Sequence, residues 1–476
     1  MSEANPVRVA VLGAGPGGYV AALRAAKRGA QVTLIEKDLV GGVCLNRGCI
    51  PTKTLLASVE AFVLAKAGDE FGFVVTGDVR PDISRMRQRK EQVVSRLREG
   101  IETLLKKAKV RLVHGNGRLL PATGPESPAT PRFSLEVETA QGREVIEADK
   151  VILATGSEPV LLPIFDFSHP SILTSTEALE LTEIPQTLVI VGAGVIGCEF
   201  ASLFSDLGSQ VTMVEMMPQM LPTEDKRVAK QLQTIFRKRG ISVLLETRVE
   251  RVIEYASDHV VLELSSGSQL AAEKVLVSVG RKPNSYGIGL EELGVEVDSR
   301  GFITVNDYLE TTVPGIYAVG DVNGGLMLAH VASHEGMVAA DNCLGASRAR
   351  DLRSTPSCVY SRPEVASVGL NADQASEAGY EVITGTFRFG ALGKALALGE
   401  DTGYVQIVAD KATDRVLGAV MMGPHVTDLV HEVAVAVHCG LTVRQLGETI
   451  HGHPTLAEAV MEALHDAHGE SVHVAG

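Results

Sequence analysis

From Val7 the apolar positions run almost unbroken through VRVAVL, stop at GAGPGG, resume with helical spacing in an Ala-rich stretch to Lys27, and return as QVTLIE. Short continuous apolar runs bounded by glycine are the pattern of buried strands, and a period near 3.6 residues is that of a helix, so Val7–Glu36 reads as a βαβ unit. The pattern recurs. LVIV, GAGVIG, a helix to Leu207 and QVTMVE span Leu188–Glu215. In each copy a glutamate, Glu36 or Glu215, closes the second strand 23 residues after the first glycine of the turn. Equal spacing in two places marks an internal duplication.

Between the copies lie a basic helical stretch, Arg85–Lys109, and a Pro/Ser/Thr-rich segment, Pro121–Pro131, that reads as a surface loop. KVILATG then forms a buried-type strand ending at Thr155 and Gly156, which returns the chain to the first sheet. KVLVSVGRKPN, carrying Gly280 and Arg281, repeats that strand-to-glycine pattern after the second unit, and GIYAVGDV places Gly320 and Asp321 at the end of a further buried strand. From about Asp351 the pattern changes to alternating strands (YVQIV, VLGAVMMG) and two amphipathic helices, Val426–Cys439 and Thr455–Leu464, with no glycine turn of the same kind. The fold class is therefore α/β, with two Rossmann-like dinucleotide-binding domains followed by an α+β domain.

Composition narrows the function. A chain of 476 residues exceeds one hydrophobic core, and 48 glycines indicate many close backbone approaches. The net charge of -14, without a basic stripe, argues against nucleic acid and anionic membranes as partners. The first residues lack a basic region followed by an apolar run, and no apolar run reaches the roughly 20 residues of a membrane span, so a cytoplasmic enzyme is expected. Six cysteines in so long a chain are no secreted disulfide framework.

Each glycine turn is a dinucleotide fingerprint. In GxGxxG the first glycine makes the turn, the second lets backbone approach a pyrophosphate, and the third lets helix pack on strand. These are Gly13, Gly15, Gly18 and Gly192, Gly194, Gly197. Helix N-termini supply free N–H groups to the phosphates, and Glu36 and Glu215 are placed to accept from a ribose. At Glu215 a carboxylate repels a 2′-phosphate and is followed by Met216 and Met217 rather than arginine, which favours NAD over NADP.

Cys44 and Cys49 lie in GGVCLNRGCIPTK, eight residues beyond Glu36. On an ideal helix their Cα atoms would be about 8.6 Å apart, whereas a disulfide tolerates about 7 Å. Pairing therefore requires a kink, which Gly48 and Pro51 permit. Inert thiols are the bland alternative, and half a zinc site is disfavoured because no second ligand pair accompanies it; no metal is expected. A redox pair must exchange electrons with a neighbour that accepts them from a dithiol, which a flavin does; FAD is thus assigned to the first fingerprint and NAD to the second.

Together GGVCLNRGCIPTK, the duplicated fingerprints, GIYAVGDV and the late HGHPTLAEA resemble the dihydrolipoamide dehydrogenase branch of the flavin-dependent pyridine nucleotide-disulfide oxidoreductases, over nearly the whole chain. The resemblance implies an FAD domain (1–150), an NAD domain (151–280), a central segment returning to the FAD domain (281–350) and a dimer-interface domain (351–476). It implies that Cys44 exchanges with substrate, that Cys49 contacts the flavin, that Lys53 beside the flavin pairs with Glu199, and that Asp321 binds the ribityl chain. Read from the residues alone, Lys53 is equally a solvated helix lysine. The implied reaction oxidises a dihydrolipoyl group on a carrier protein, or a small dithiol, and reduces NAD. The implied partners are a second copy of the chain and the acyltransferase core of a 2-oxo acid dehydrogenase complex.

A thiol of ordinary pKa about 8.5 is little ionised at neutral pH, so dithiol exchange is helped by a base near 6.5, the range of histidine. The resemblance assigns this base to His453 and its orientation to Glu458, acting on the partner subunit's Cys44. His451 reads as structural, His425, His431 and His438 carry no assignment, and Cys198, Cys343, Cys358 and Cys439 read as packing residues. Rival branches fit less well. Glutathione reductases favour Ala at the third fingerprint position and arginines for NADP, mercuric reductases carry a C-terminal cysteine pair, and soluble transhydrogenases lack the paired cysteines. A catalytically silent assembly subunit would not need every one of these groups. Thr52 and Val331 depart from the serine and lysine common in the branch.

Overall fold

The computed structural model describes residues 6–121 and 132–473, so the loop expected at Pro121–Pro131 lies, past its first residue, outside the described residues. Three five-stranded sheets organise the chain. The first is parallel, in the order Ile316–Ala318, Lys150–Leu153, Arg8–Leu12, Gln31–Glu36, Arg111–His114. Its central strands are buried on both faces, which is why they read as continuous Val/Ile/Leu runs. The second repeats the plan in the order Ser242–Leu244, Gln210–Val214, Thr187–Val191, Lys274–Val277, Ile172–Leu173. The duplication goes further than the fingerprints. In each half a three-stranded antiparallel sheet, 116–148 or 249–272, precedes the strand that returns beside the fingerprint strand.

Hydrogen bonding sets the domain limits. The strand Lys150–Leu153 pairs with Arg8–Leu12 and Ile316–Ala318, so the junction expected at 150/151 falls inside the first sheet. Residues 281–350 likewise add to existing layers. Arg281–Pro283 pairs with Ser157–Pro159, and the helix Ala329–Cys343 packs on the helix Pro16–Lys27, where Arg24 donates twice to the buried carboxylate of Asp341 at 2.7 and 2.9 Å.

The third sheet is antiparallel, in the order Pro356–Val359, Glu364–Gly369, Val416–Gly423, Tyr404–Asp410, Val382–Arg388, and is covered by the helices Val426–Cys439 and Glu458–Ala467. The last helix begins later than the expected Thr455, because the Thr455 N–H is bound by the Glu458 carboxylate at 2.8 Å in a turn ahead of the helix. The basic stretch forms the helix Ile83–Lys107, capped by Asp82, whose side chain accepts from the Arg85 N–H at 3.0 Å. Among the described residues one stretch, Gly42–Lys66, is long and apolar enough to span a membrane by length and composition. It is interrupted at Gly48 and packs against the helices Ile83–Lys107 and Val195–Leu207, so its apolar character serves the junction between domains.

Candidate active site

Both glycine turns connect a buried strand to a helix that has no side-chain cap. A Cβ on Gly13 would stand 2.3 Å from the Ala154 carbonyl oxygen, and one on Gly18 would stand 1.8 Å from that of Gly13. Gly192 and Gly197 repeat this at 2.4 Å from the Ser278 oxygen and 2.0 Å from the Gly192 oxygen. The chain's own backbone thus excludes side chains at the first and third positions. The middle glycines differ. A Cβ on Gly15 would meet only the Gly42 Cα at 3.9 Å, and one on Gly194 would meet nothing within 4 Å. Their backbone is ordinary, φ −68° and −74°. No internal reason for glycine exists at these positions, and the open space at an uncapped helix N-terminus suits a phosphate.

The terminal glutamates brace these turns. Glu36, buried, accepts from the Ala14 N–H at 2.6 Å and the Asp38 N–H at 2.8 Å. Glu215, also buried, accepts from Ala193 at 2.7 Å and Met217 at 2.8 Å. Burial raises the Glu36 carboxyl above its usual range against the opposing bond from Ala14. Met216 and Met217 project exposed beyond Glu215 and bring no positive charge.

Thr155, Gly156, Gly280, Arg281 and Asp321 converge. Arg281 donates to the Ser157 hydroxyl at 2.7 Å and carbonyl at 2.8 Å, the Ser157 hydroxyl donates to Asp321, and Asn284 donates to the Thr155 carbonyl at 3.0 Å. The Gly280 carbonyl accepts from Val160 at 3.0 Å. Among the described residues the buried Thr155 hydroxyl has no partner. A buried orphan hydroxyl at the end of the strand beside the first fingerprint calls for a polar group from outside the chain. Behind Asp321 stands Glu335, 1% exposed, which accepts from the Gly320 N–H at 2.7 Å, Asn323 at 2.9 Å and Arg350 at 2.8 Å. Sequence reading passed over Glu335, because a lone glutamate in a helix looks like a solvated residue.

The cysteines sit on either side of a break. The helix Gly42–Arg47 ends at Gly48, whose φ −140° and ψ −109° are non-helical, and a second helix, Cys49–Lys66, begins at the next residue. Thr52 donates to the Gly48 carbonyl at 2.6 Å. The kink required for pairing is present. The two side chains lie within hydrogen-bonding reach of each other. The mutual hydrogen bond and burial push Cys44 far up, whereas the same bond and the nearby Lys53 ammonium hold Cys49 down at about 7, against burial and Glu199. The Lys53 ammonium thus favours a thiolate on this pair.

Lys53 is no solvated lysine. Its ammonium donates to both carboxylate oxygens of Glu199 at 2.8 Å, and Glu199, from the helix of the second fingerprint, is buried. Glu199 also accepts from the Tyr360 N–H at 3.1 Å, and the Tyr360 ring lies 4.6 Å from the Lys53 nitrogen. All three domains meet here.

His453 stands elsewhere. Its ring is 80% exposed, and among the described residues its hydrogen-bond partner is Glu458, at 2.9 Å. Burial opposes ionisation of Glu458, but the Thr455 N–H and the His453 ring outweigh it and hold the carboxyl below its usual range. His451 is buried between the Thr449 carbonyl and Glu432, both at 2.7 Å, as a structural histidine would be. Cys198 and Cys343 are buried as expected of packing residues, but Cys439 is exposed, because it ends the helix Val426–Cys439 on its outward side. No cluster of three metal-ligating side chains occurs among the described residues.

Residues 7–336 match the pyridine nucleotide-disulphide oxidoreductase family, and residues 355–464 match its dimerisation domain. The chain belongs to this family. It is similar to dihydrolipoyl dehydrogenases from Bacillus subtilis, 43% identical over 98% of both chains, and from Thermus scotoductus, 41% identical over 98% of both. Among solved structures it resembles LpdA from Mycobacterium tuberculosis, with a TM-score of 0.89, 30% identity and 96% and 99% of the two chains covered. It also resembles the HOCl-induced flavoprotein disulfide reductase RclA from Escherichia coli, with a TM-score of 0.85, 30% identity and 97% and 99% covered. As an oxidoreductase of this family the protein uses FAD and NAD. The open space at Gly15 and Gly194 and the orphan hydroxyl of Thr155 fit these dinucleotides.

Proposed function

We propose that this protein is a cytoplasmic, homodimeric oxidase of dihydrolipoyl groups that delivers the electrons to NAD and serves the acyltransferase core of a 2-oxo acid dehydrogenase complex. The observation that carries this reading is the arrangement of Cys44 and Cys49 on either side of the break at Gly48, with the Lys53–Glu199 ion pair beside them. The site starts its cycle with Cys44 and Cys49 joined. His453 takes the proton of a substrate thiol, whose sulfur attacks Cys44; the bond between the cysteines breaks, and Cys49 leaves as the thiolate that Lys53 stabilises. The second substrate sulfur then displaces Cys44, which leaves with the proton of that thiol, so the lipoyl disulfide forms and the two cysteines carry its electrons. His453, held by Glu458, is exposed on its own chain, which favours service to the cysteine pair of the other protomer.

FAD, when bound, supplies the two-electron link between the dithiol and NAD. The first fingerprint (Gly13, Gly15, Gly18), Glu36, Thr155, Gly156, Lys53 and Asp321 would hold it, and Gly192, Gly194, Gly197, Glu215, Gly280 and Arg281 would hold NAD. The test is a set of steady-state rates with dihydrolipoamide, glutathione, NAD and NADP, repeated with Cys44→Ser. Fast dihydrolipoamide oxidation with NAD, lost in the variant, is the expected result. Activity surviving in Cys44→Ser would overturn the mechanism, and a yellow protein inert with every dithiol would favour a silent assembly subunit.

A further inference from the structure

Besides the Glu199 carboxylate, the Lys53 ammonium has a second neighbour from a different domain. Tyr360 follows the strand Pro356–Val359 of the C-terminal sheet. Its N–H binds Glu199 at 3.1 Å, and its ring face lies 4.6 Å from the Lys53 nitrogen, within cation–π range. The Tyr360 hydroxyl interacts with the Thr427 side chain, and Thr427 donates from its N–H at 3.1 Å and its hydroxyl at 2.8 Å to the half-buried carboxyl of Glu364. A line of contacts therefore runs from the first turn of the helix Val426–Cys439 to the ammonium beside Cys49.

We propose that Tyr360 is a positioning residue that fixes the Lys53 ammonium beside the cysteine pair, so that the C-terminal domain contributes to the dithiol site of its own chain. The inference rests on the reading of Cys44 and Cys49 as a redox pair. Burial pushes the Tyr360 phenol up to about 12, so the ring stays neutral and keeps its electron-rich face wherever the dithiol works. The charged and titratable groups around this point are Cys44, Cys49, Glu199, Glu364 and Cys358, with Tyr19 near Cys44 and Glu224 and Asp428 near Cys358. Among the described residues the ring face on the Lys53 nitrogen is that of Tyr360.

The test is the pH dependence of alkylation of the full-length, FAD-bound protein, reduced with dithiothreitol and freed of reductant, with Cys44 and Cys49 followed separately by peptide mass spectrometry. In the wild type Cys49 is expected to reach half its maximal rate near pH 7. Tyr360→Phe keeps the ring face and should leave that midpoint in place. Tyr360→Leu removes it and should raise the midpoint by about half a unit to one unit. Should the leucine variant not fold, Tyr360→Met gives the same readout. A midpoint unmoved in the leucine or methionine variant overturns the proposal, as does an equal rise in Tyr360→Phe, which would place the effect in the hydroxyl and Thr427. A wild type with no thiol titrating below the ordinary range fails the redox reading itself, whatever the Tyr360 variants do.

Discussion

Gly194→Ala separates binding from folding. The backbone there has φ −74° and ψ −170°, which alanine adopts freely, and a Cβ would meet nothing within 4 Å. Without a ligand the substitution is therefore harmless, and reducing the freedom of the unfolded chain should stabilise the protein by about 0.4–1 kcal/mol. With NAD present, the methyl group occupies the space in which the pyrophosphate approaches the helix N-terminus. Losing one charge-assisted hydrogen bond there costs about 1.5–3 kcal/mol, which is about a ten- to hundredfold weaker affinity. The assay is an NADH titration by fluorescence together with a thermal melt and the flavin absorbance. Gly192→Ala is the contrast: it places a Cβ 2.4 Å from the Ser278 oxygen at φ +102°, so the melt itself should fall by about 1–3 kcal/mol. If Gly194→Ala binds NADH as tightly as the wild type, the middle glycine has no ligand to serve and the assignment of the second fingerprint is wrong.

Other outcomes follow from the same geometry. His453→Gln removes a ring that is 80% exposed, so stability should stay within about 0.5 kcal/mol, while dihydrolipoamide oxidation should drop about 10²–10⁴-fold; an equal loss of stability and activity would point to a structural histidine. Lys53→Met leaves the Glu199 carboxylate, 5% exposed, without its partner, and should destabilise by about 3 kcal/mol in a denaturant melt, the low end for a buried pair because Lys53 is itself 30% exposed. The depressed Cys49 thiol also fixes a sign: its reactive thiolate is present above about pH 7 and is lost as pH falls through that value, so alkylation of the reduced protein at pH 5.5 should be slow at both cysteines.

The features legible in the sequence were those enforced over short separations. Gly13 is required by its own φ of +99°, Gly18 by the Gly13 carbonyl five residues before it, and Gly48 by the break between Cys44 and Cys49, so each leaves a local mark. Strand order leaves none. Ile316–Ala318 joins a sheet begun at Arg8, and no periodicity announces that Lys150–Leu153 lies between them. Buried charges were hidden for a related reason. Glu335 binds groups in the loop ahead of its helix and Arg350 beyond it, and Tyr360 reaches Lys53 across more than half the chain; only the folded arrangement shows that these polar residues are inside. The motif around His453 was visible, and its exposed ring is what a residue facing another protomer would show.

The most direct measurement is a count of thiols in the oxidised protein before and after one equivalent of NADH, made without air and located by alkylation and mass spectrometry. Two new thiols, on Cys44 and Cys49, are the predicted result. Loss of the flavin's visible absorbance with no new thiol at either position would mean that the cysteines stand outside the path of the electrons.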